Sequence, residues 1–234
     1  MFGVMVAGLG STGAATDPLD IFGADLELWL DAAVDVTDVD YITEWGNQGT
    51  GQASITNATT GATYVASQGD GTPSADFSGG DSFYYTDAIN DAFTVYMFAD
   101  ATTANLIRCL MWSNTGSLLS LWHTGYQVGP AIYRGSWSES GFDPQGWHVC
   151  RWTLNNSGAA DSSIALDDGA EAVYSLNWTS GQSWQYLSRG GSNQGLIAQV
   201  KHIMLIKGAI NDADPRHQQM LDYFKLRHPT LVSY

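Results

Sequence analysis

The sequence predicts an all-β fold: an antiparallel two-sheet sandwich with one C-terminal helix. Three observations carry that expectation. Leu26, Leu28 and Leu30 alternate with Glu27, Trp29 and Asp31, the period of two of a strand with one face on a core. Short apolar runs then recur along the chain, closed by Gly, Asn, Asp or Pro, the punctuation of turns between strands. Apolar residues recur at helical spacing near the C-terminus, in His217, Met220, Leu221 and Phe224.

The elements follow in order. Met1–Ala15, MFGVMVAGLGSTGAA, carries no Lys or Arg and is interrupted by Gly. It therefore reads as an apolar arm rather than a secretory signal, and it is too short to span a bilayer. Thr16–Gly23, with Asp17-Pro18, reads as a linker. This divides the chain into residues 1–22, arm and linker, and 23–234, the sandwich. The opening strand runs into an acidic corner, Asp31–Asp40, which Tyr41, Ile42 and Trp45 close. Gly46–Gly61 reads as a loop with a short strand at most.

Strands are expected at Ala62–Ala66, Ser74–Ser78, Ala92–Ala99, Asn105–Trp112, Leu118–His123, Tyr126–Tyr133, Trp147–Leu154 and Trp184–Ser188. Ser162–Leu166 is expected to pair with Ala172–Leu176 across Asp167-Asp168-Gly169. Leu196–Lys207 is the longest apolar run and reads as a central strand. Asn211 or Asp214 caps the helix, with Pro215 at its first position in the second case. His228-Pro229 ends it.

Composition narrows the function. The chain of 234 residues has nine Trp and 26 Gly, only 14% charged residues and a formal charge of −15. Such a length buries a core without disulfides. Phosphate backbones and acidic membrane surfaces are repelled by this charge, so neither nucleic acid nor membrane is an expected partner. Cys109 and Cys150 each sit in an apolar run. They read as buried free thiols, with a single bridge between strands as the alternative.

The segment Leu28-Trp29-Leu30-Asp31-Ala32-Ala33, the acidic stretch Asp35–Asp40 with Trp45, the turn Asp76-Phe77-Ser78-Gly79-Gly80-Asp81, and the closing Ile203–Ile206, Ala209-Ile210-Asn211-Asp212 and Tyr223-Phe224 form a pattern. It resembles the concanavalin A-like or laminin-G-like jelly roll of many bacteriophage structural proteins and some bacterial surface proteins. The resemblance spans about Leu26 to Pro229. Gly46-Asn47-Gln48-Gly49-Thr50-Gly51 departs from the family's Asp-x-Ser-Gly-x-Gly loop. The resemblance implies the sandwich and a place in a virion.

Catalytic patterns are sparse. The paired-carboxylate pattern of a glycosidase strand, Glu-x-Asp-x-x-Glu, does not occur. Asp167, Asp168 and Glu171 read as solvated turn charges. The five His, at 123, 148, 202, 217 and 228, lack zinc spacing and read as ordinary surface or strand residues. The chain is therefore expected not to be an enzyme and to need no cofactor. Asp31, Asp35 and Asp38 have the oxygen chemistry of a Ca²⁺ site, although a solvated acidic loop is their main reading. Trp122, Tyr126, Tyr133 and Trp137 flank Gly-rich turns. Flat apolar rings beside polar groups suit a glycan, and core or subunit contact is the competing reading.

The main expectation is thus a phage virion structural protein: a capsid decoration, head-fibre or tail-associated subunit. It would contact other virion proteins and copies of itself through Met1–Ala15 and adhere to host-surface glycans. The alternative is a secreted carbohydrate-binding or glycan-cleaving module.

Overall fold

A computed structural model describes residues 17–37, 40–52, 54–57, 61–78, 83–89, 91–101, 108–113, 117–122, 130–134, 136–143, 145–155, 161–176, 184–188 and 195–232. Asp17 caps the short helix α1 (Pro18–Phe22), its carboxylate accepting from the Leu19 N–H at 2.9 Å. The linker expected there is helical because Asp17-Pro18 is an N-cap followed by a residue that fits the first helical position. The opening strands are β1 (Leu26–Asp31), β2 (Val36–Thr37), β3 (Glu44–Gly46), β4 (Ser54–Asn57), β5 (Thr63–Gln68) and β6 (Thr72–Ser78). The middle of the chain gives β7 (Phe83–Ile89), β8 (Phe93–Ala101), β9 (Arg108–Ser113), β10 (Leu118–Trp122), β11 (Ala131–Tyr133) and β12 (Trp137–Glu139). Then come β13 (Gly146–Leu154), β14 (Asp161–Leu166), β15 (Ala172–Ser175), β16 (Trp184–Leu187), β17 (Ile197–Lys207) and the helix α2 (Pro215–Arg227). The apolar Met1–Ala15 arm lies outside the described residues.

The strands form the expected pair of antiparallel sheets. One runs β15-β14-β13-β8-β17-β6-β5, with β1 also on β17. The other runs β12-β11-β10-β9-β16-β7-β4-β3-β2. β17 is central because it is long. Along one side it holds β8 from Ala198 to Lys207; along the other, β6 at Ile197–Val200 and then β1 at His202–Ile206. The hairpin β14–β15 forms as expected, with Ser162 opposite Tyr174 and Ile164 opposite Ala172.

Two apolar cores result. The first lies between the sheets and contains Leu28, Leu30, Trp45, Phe77, Phe83, Trp152 and Trp184. Trp45 is fully buried, donates its indole N–H to the Asp31 carbonyl at 3.0 Å, and meets Phe83 edge-on at 6.2 Å. Cys150 belongs to this core as a free thiol. The second core lies between the eight-stranded sheet and the two helices, and joins Phe22, Leu26, Trp29, Tyr96, Phe98, Met220 and Phe224. Asp214 caps α2, with Pro215 at its first position. β1 is therefore buried on both faces, where alternation alone implies one: Leu26 and Trp29 face the helices while Leu28 and Leu30 face the other sheet.

The loop after β3 explains its glycines. Asn47 spans it by accepting from the Trp29 N–H at 2.7 Å and donating to the Glu27 carbonyl at 2.9 Å. Gln48, Thr50 and Gly51 N–H groups donate to the carbonyls of Trp29, Leu26 and Glu27. The loop thus satisfies the edge that β17 leaves open on β1. A Cβ on Gly51 would lie 2.6 Å from the Glu27 carbonyl oxygen, and one on Gly49 2.7 Å from that of Leu26. Gly51→Ala is expected to lower unfolding stability by about 1–3 kcal/mol through this overpacking. Chemical denaturation checks it, and an unchanged midpoint would mean that the loop can withdraw at no cost.

Candidate functional site

Strand register lines up one face of the nine-stranded sheet. Phe83 pairs with Leu187, Leu187 with Met111, Met111 with Leu119, and Leu119 with Ile132. All five are buried in the inter-sheet core. Successive residues of a strand face opposite sides, so the row beside this one belongs to the outer face. That row is Tyr84, Tyr186, Trp112, Leu118, Tyr133 and Trp137, paired in this order across β7, β16, β9, β10, β11 and β12. From Tyr84 it continues the other way through Thr56, Glu44 and Thr37, all three exposed. Among the described residues, both helices pack on the other sheet.

The polar end of the row opens into a cavity of about 410 Å³ lined by Asp35, Val36, Thr37, Glu44, Gly46 and Ser54. Ser54 donates to Glu44 at 2.5 Å, and Gln48 donates to Asp35 at 2.9 Å. Asp35 itself holds a left-handed backbone, φ 50°, which Asp tolerates better than most residues. The row thus passes from aromatic positions to hydroxyls and carboxylates that can accept or donate to a polyol.

Of the residues singled out in the sequence, Tyr133 and Trp137 are direct cross-strand partners in this row. Trp122 stands on β10 opposite Arg108, beyond an irregularity that separates it from Ser120. Tyr126 lies outside the described residues. Tyr84, Trp112 and Tyr186 were not singled out. The alternation Phe83-Tyr84 carried a signal for one of them, but their alignment depends on strands far apart in the chain. Asp31 and Asp35 turn to different partners, and Asp38 lies outside the described residues. Asp31 accepts from the Ala33 N–H at 2.8 Å, with Arg227 at 3.8 Å and His202 at 3.9 Å. Burial raises its pKa.

Three of the five histidines depart from the ordinary surface or strand residues expected; His148 is a half-buried strand residue on β13, and His123 lies outside the described residues. His202, His217 and His228 are buried, because the helix and its trailing residues cover the outer face of the eight-stranded sheet. Asp70, in the β5–β6 turn, accepts from His228 Nδ1 at 2.6 Å, and His228 Nε2 lies 2.8 Å from His202 Nε2. With Nδ1–H directed at the carboxylate, neutral His228 presents Nε2 as acceptor and His202 donates. Lys201, 1% exposed, donates to the Gln68 and Thr72 carbonyls at 2.9 and 2.8 Å and pairs with Asp70 at 3.0 Å. Burial lowers the pKa of His202 and, against the pull of Asp70, that of His228. His217, hydrogen-bonded to the Tyr96 hydroxyl at 3.0 Å, is lowered to about 4 by burial and by Arg151.

Two of the turn carboxylates, Asp167 and Glu171, are partnered rather than solvated, while Asp168 is exposed as expected. Asp167 takes His148 Nδ1 at 2.6 Å and the Val149 N–H at 2.8 Å. Buried Arg151 holds Glu171 at 2.6 Å and Asp212 at 2.7 Å through one nitrogen. A buried guanidinium needs such counter-charges.

No protein-family model and no curated protein matches the sequence. Solved structures match the fold. A Trypanosoma rangeli sialidase in complex with the inhibitor DANA superposes with a TM-score of 0.59 at 13% identity, over 84% of this chain and 32% of that one. Domain 4 of a GH43 extracellular arabinanase from Geobacillus stearothermophilus, in complex with arabinotriose, gives 0.58 at 10% identity, over 85% of this chain and 98% of that one. The binding domain of Paraclostridial Mosquitocidal Protein 1 gives 0.57 at 12%, over 87% and 53%. The chain thus spans about a third of the sialidase. At these identities the likeness shows the shared β-sandwich. It bears on two expectations. That the chain is not an enzyme does not stand, since two of these structures come from glycosidases. The virion role finds no support among them.

The histidine network predicts an acid limb in stability. Groups held neutral below their ordinary pKa leave the unfolded chain binding more protons, so stability is full above pH ~6.5 and falls below it. His202, held well below its ordinary value, should add a slope approaching ~1.4 kcal/mol per pH unit, with His228 adding in the same sense and His217 adding down to about pH 4. His148, raised by its Asp167 hydrogen bond, and Asp31, raised by burial, act in the opposite sense. Urea unfolding between neutral and mildly acid pH measures this, and a flat profile would contradict the neutral assignment.

Proposed function

We propose that this chain is a glycan-recognition β-sandwich module, with its ligand lying on the outer face of the nine-stranded sheet. The observation that carries this is the cross-strand row Tyr84, Tyr186, Trp112, Leu118, Tyr133 and Trp137. Aromatic rings on a stiff sheet offer flat apolar faces at low entropic cost. Thr37, Glu44, Thr56 and Ser54 at the other end supply polar groups for hydroxyls. Sites of this kind pair apolar surface with a few polar anchors. Support also comes from the arabinanase domain, solved with arabinotriose and matched over nearly its whole length. This reading contains glycan action as well as binding, so a test must separate the two.

Screening the full chain on a glycan array should give binding to at least one saccharide. Trp137→Ala and Tyr133→Ala should each weaken it by about tenfold or more, with near-UV circular dichroism confirming the fold. Reducing-end release in the same samples reports cleavage. A chain that binds no saccharide overturns the proposal.

A further inference from the structure

Resting on that reading, we infer that the ligand is an extended, neutral polysaccharide chain lying across the strands, rather than a terminal sugar or an acidic glycan. Length is the first argument. The row from Tyr84 to Trp137 crosses six adjacent strands. At ~4.8 Å between strands it covers roughly 24 Å, several times the width of one sugar ring. A site for a single terminal residue would need one or two of these positions. Five aromatic positions in one line match a ligand that repeats along its length.

Charge is the second argument. The chain carries a formal charge of −15, and the row's polar end holds Glu44 with Asp35 beside it in the cavity wall. An anionic saccharide, whether sialylated or uronic, would approach against the field of the whole molecule. Hydroxyls of a neutral sugar can donate to these carboxylates without that cost. Direction follows from the same asymmetry: one end of the ligand rests on aromatic positions at β11–β12, the other meets acceptors at β3–β4.

The test is isothermal titration of the full chain with oligosaccharide ladders from arabinan, xylan, mannan and cellulose, from monosaccharide to octasaccharide. Oligogalacturonides and sialyllactose form the anionic arm. One neutral ladder is expected to bind with affinity rising by at least about tenfold from disaccharide to hexasaccharide. Anionic probes should bind at least about tenfold more weakly at low salt and approach the neutral ones only as salt screens the field. Trp137→Ala should flatten the rise for long ligands, with Trp137→Phe restoring most of it. A monosaccharide bound as tightly as the hexasaccharide, or a preferred anionic probe, overturns this inference and leaves glycan recognition standing. Failure of every probe overturns both.

Discussion

A pleated strand that gives one residue to a core must give the next to the opposite face. The outer row of the nine-stranded sheet depends on this constraint. Phe83, Leu187, Met111, Leu119 and Ile132 are held between the sheets by their apolar area, and each fixes its neighbour. Tyr84, Tyr186, Trp112, Leu118 and Tyr133 are placed on the far face by that packing, not by any local preference. A slip of one residue in any strand would exchange the two rows and put Tyr, Trp and Leu positions into the core. The bulges in β9, β10 and β16 absorb irregularity without losing that phase in the row itself.

The eight-stranded sheet solves a different problem. Its central strands, β8 and β17, are covered on both faces, so polar residues in them cannot reach water. Lys201 and His202 are adjacent in β17 and each is 1% exposed. Each is accommodated by partners from other elements: Asp70 and Thr72 from the β5–β6 hairpin, His228 from the end of α2. Buried polar groups with their partners in place fix one arrangement of those elements. Arg151 does the same at the opposite end of α2, tying β13 to Glu171 and Asp212. The helix is thus held by its apolar stripe and positioned by charges at both ends.

Much of this architecture was legible in the sequence, for a definite reason. Continuous β-branched, aromatic or apolar runs report strands buried on both faces, so Ala92–Ala99, Trp147–Leu154 and Leu196–Lys207 could be read directly, and they match β8, β13 and β17. Asp214-Pro215 carries cap and first-turn chemistry locally, and so does Asp17-Pro18, which reads equally well as a turn. Pairing order is not local. β16 sits between β7 and β9, strands from much earlier in the chain, and nothing in Trp184–Leu187 announces it. The aromatic row could therefore be seen only at its hairpin end, in Tyr133 and Trp137, which are close in sequence. The burial of Asp31 is hidden from the sequence for the same reason: its neighbours Arg227 and His202 come from the far end of the chain. The network joining Asp70 to His228 spans an interval of 158 residues, beyond the reach of any spacing rule.

Rigidity connects this architecture to recognition. An edge hairpin such as β11–β12 has one unpaired side, and an aromatic site there would fray if nothing restrained it. Here the Tyr174 hydroxyl, on β15 of the other sheet, donates to the Glu139 carbonyl at 2.6 Å. This bond joins the terminal strands of the two sheets and closes the sandwich beside Trp137. At the opposite end, Gly46 approaches Asp35 so closely that a side chain would collide with it, and the Gly46 N–H donates to the Asp35 carbonyl at 2.8 Å. Both ends of the outer row are therefore anchored by the sandwich itself rather than by free loops. A surface fixed at both ends loses little entropy when a long ligand settles along it, which favours a ligand that uses the whole row over one that touches a single position.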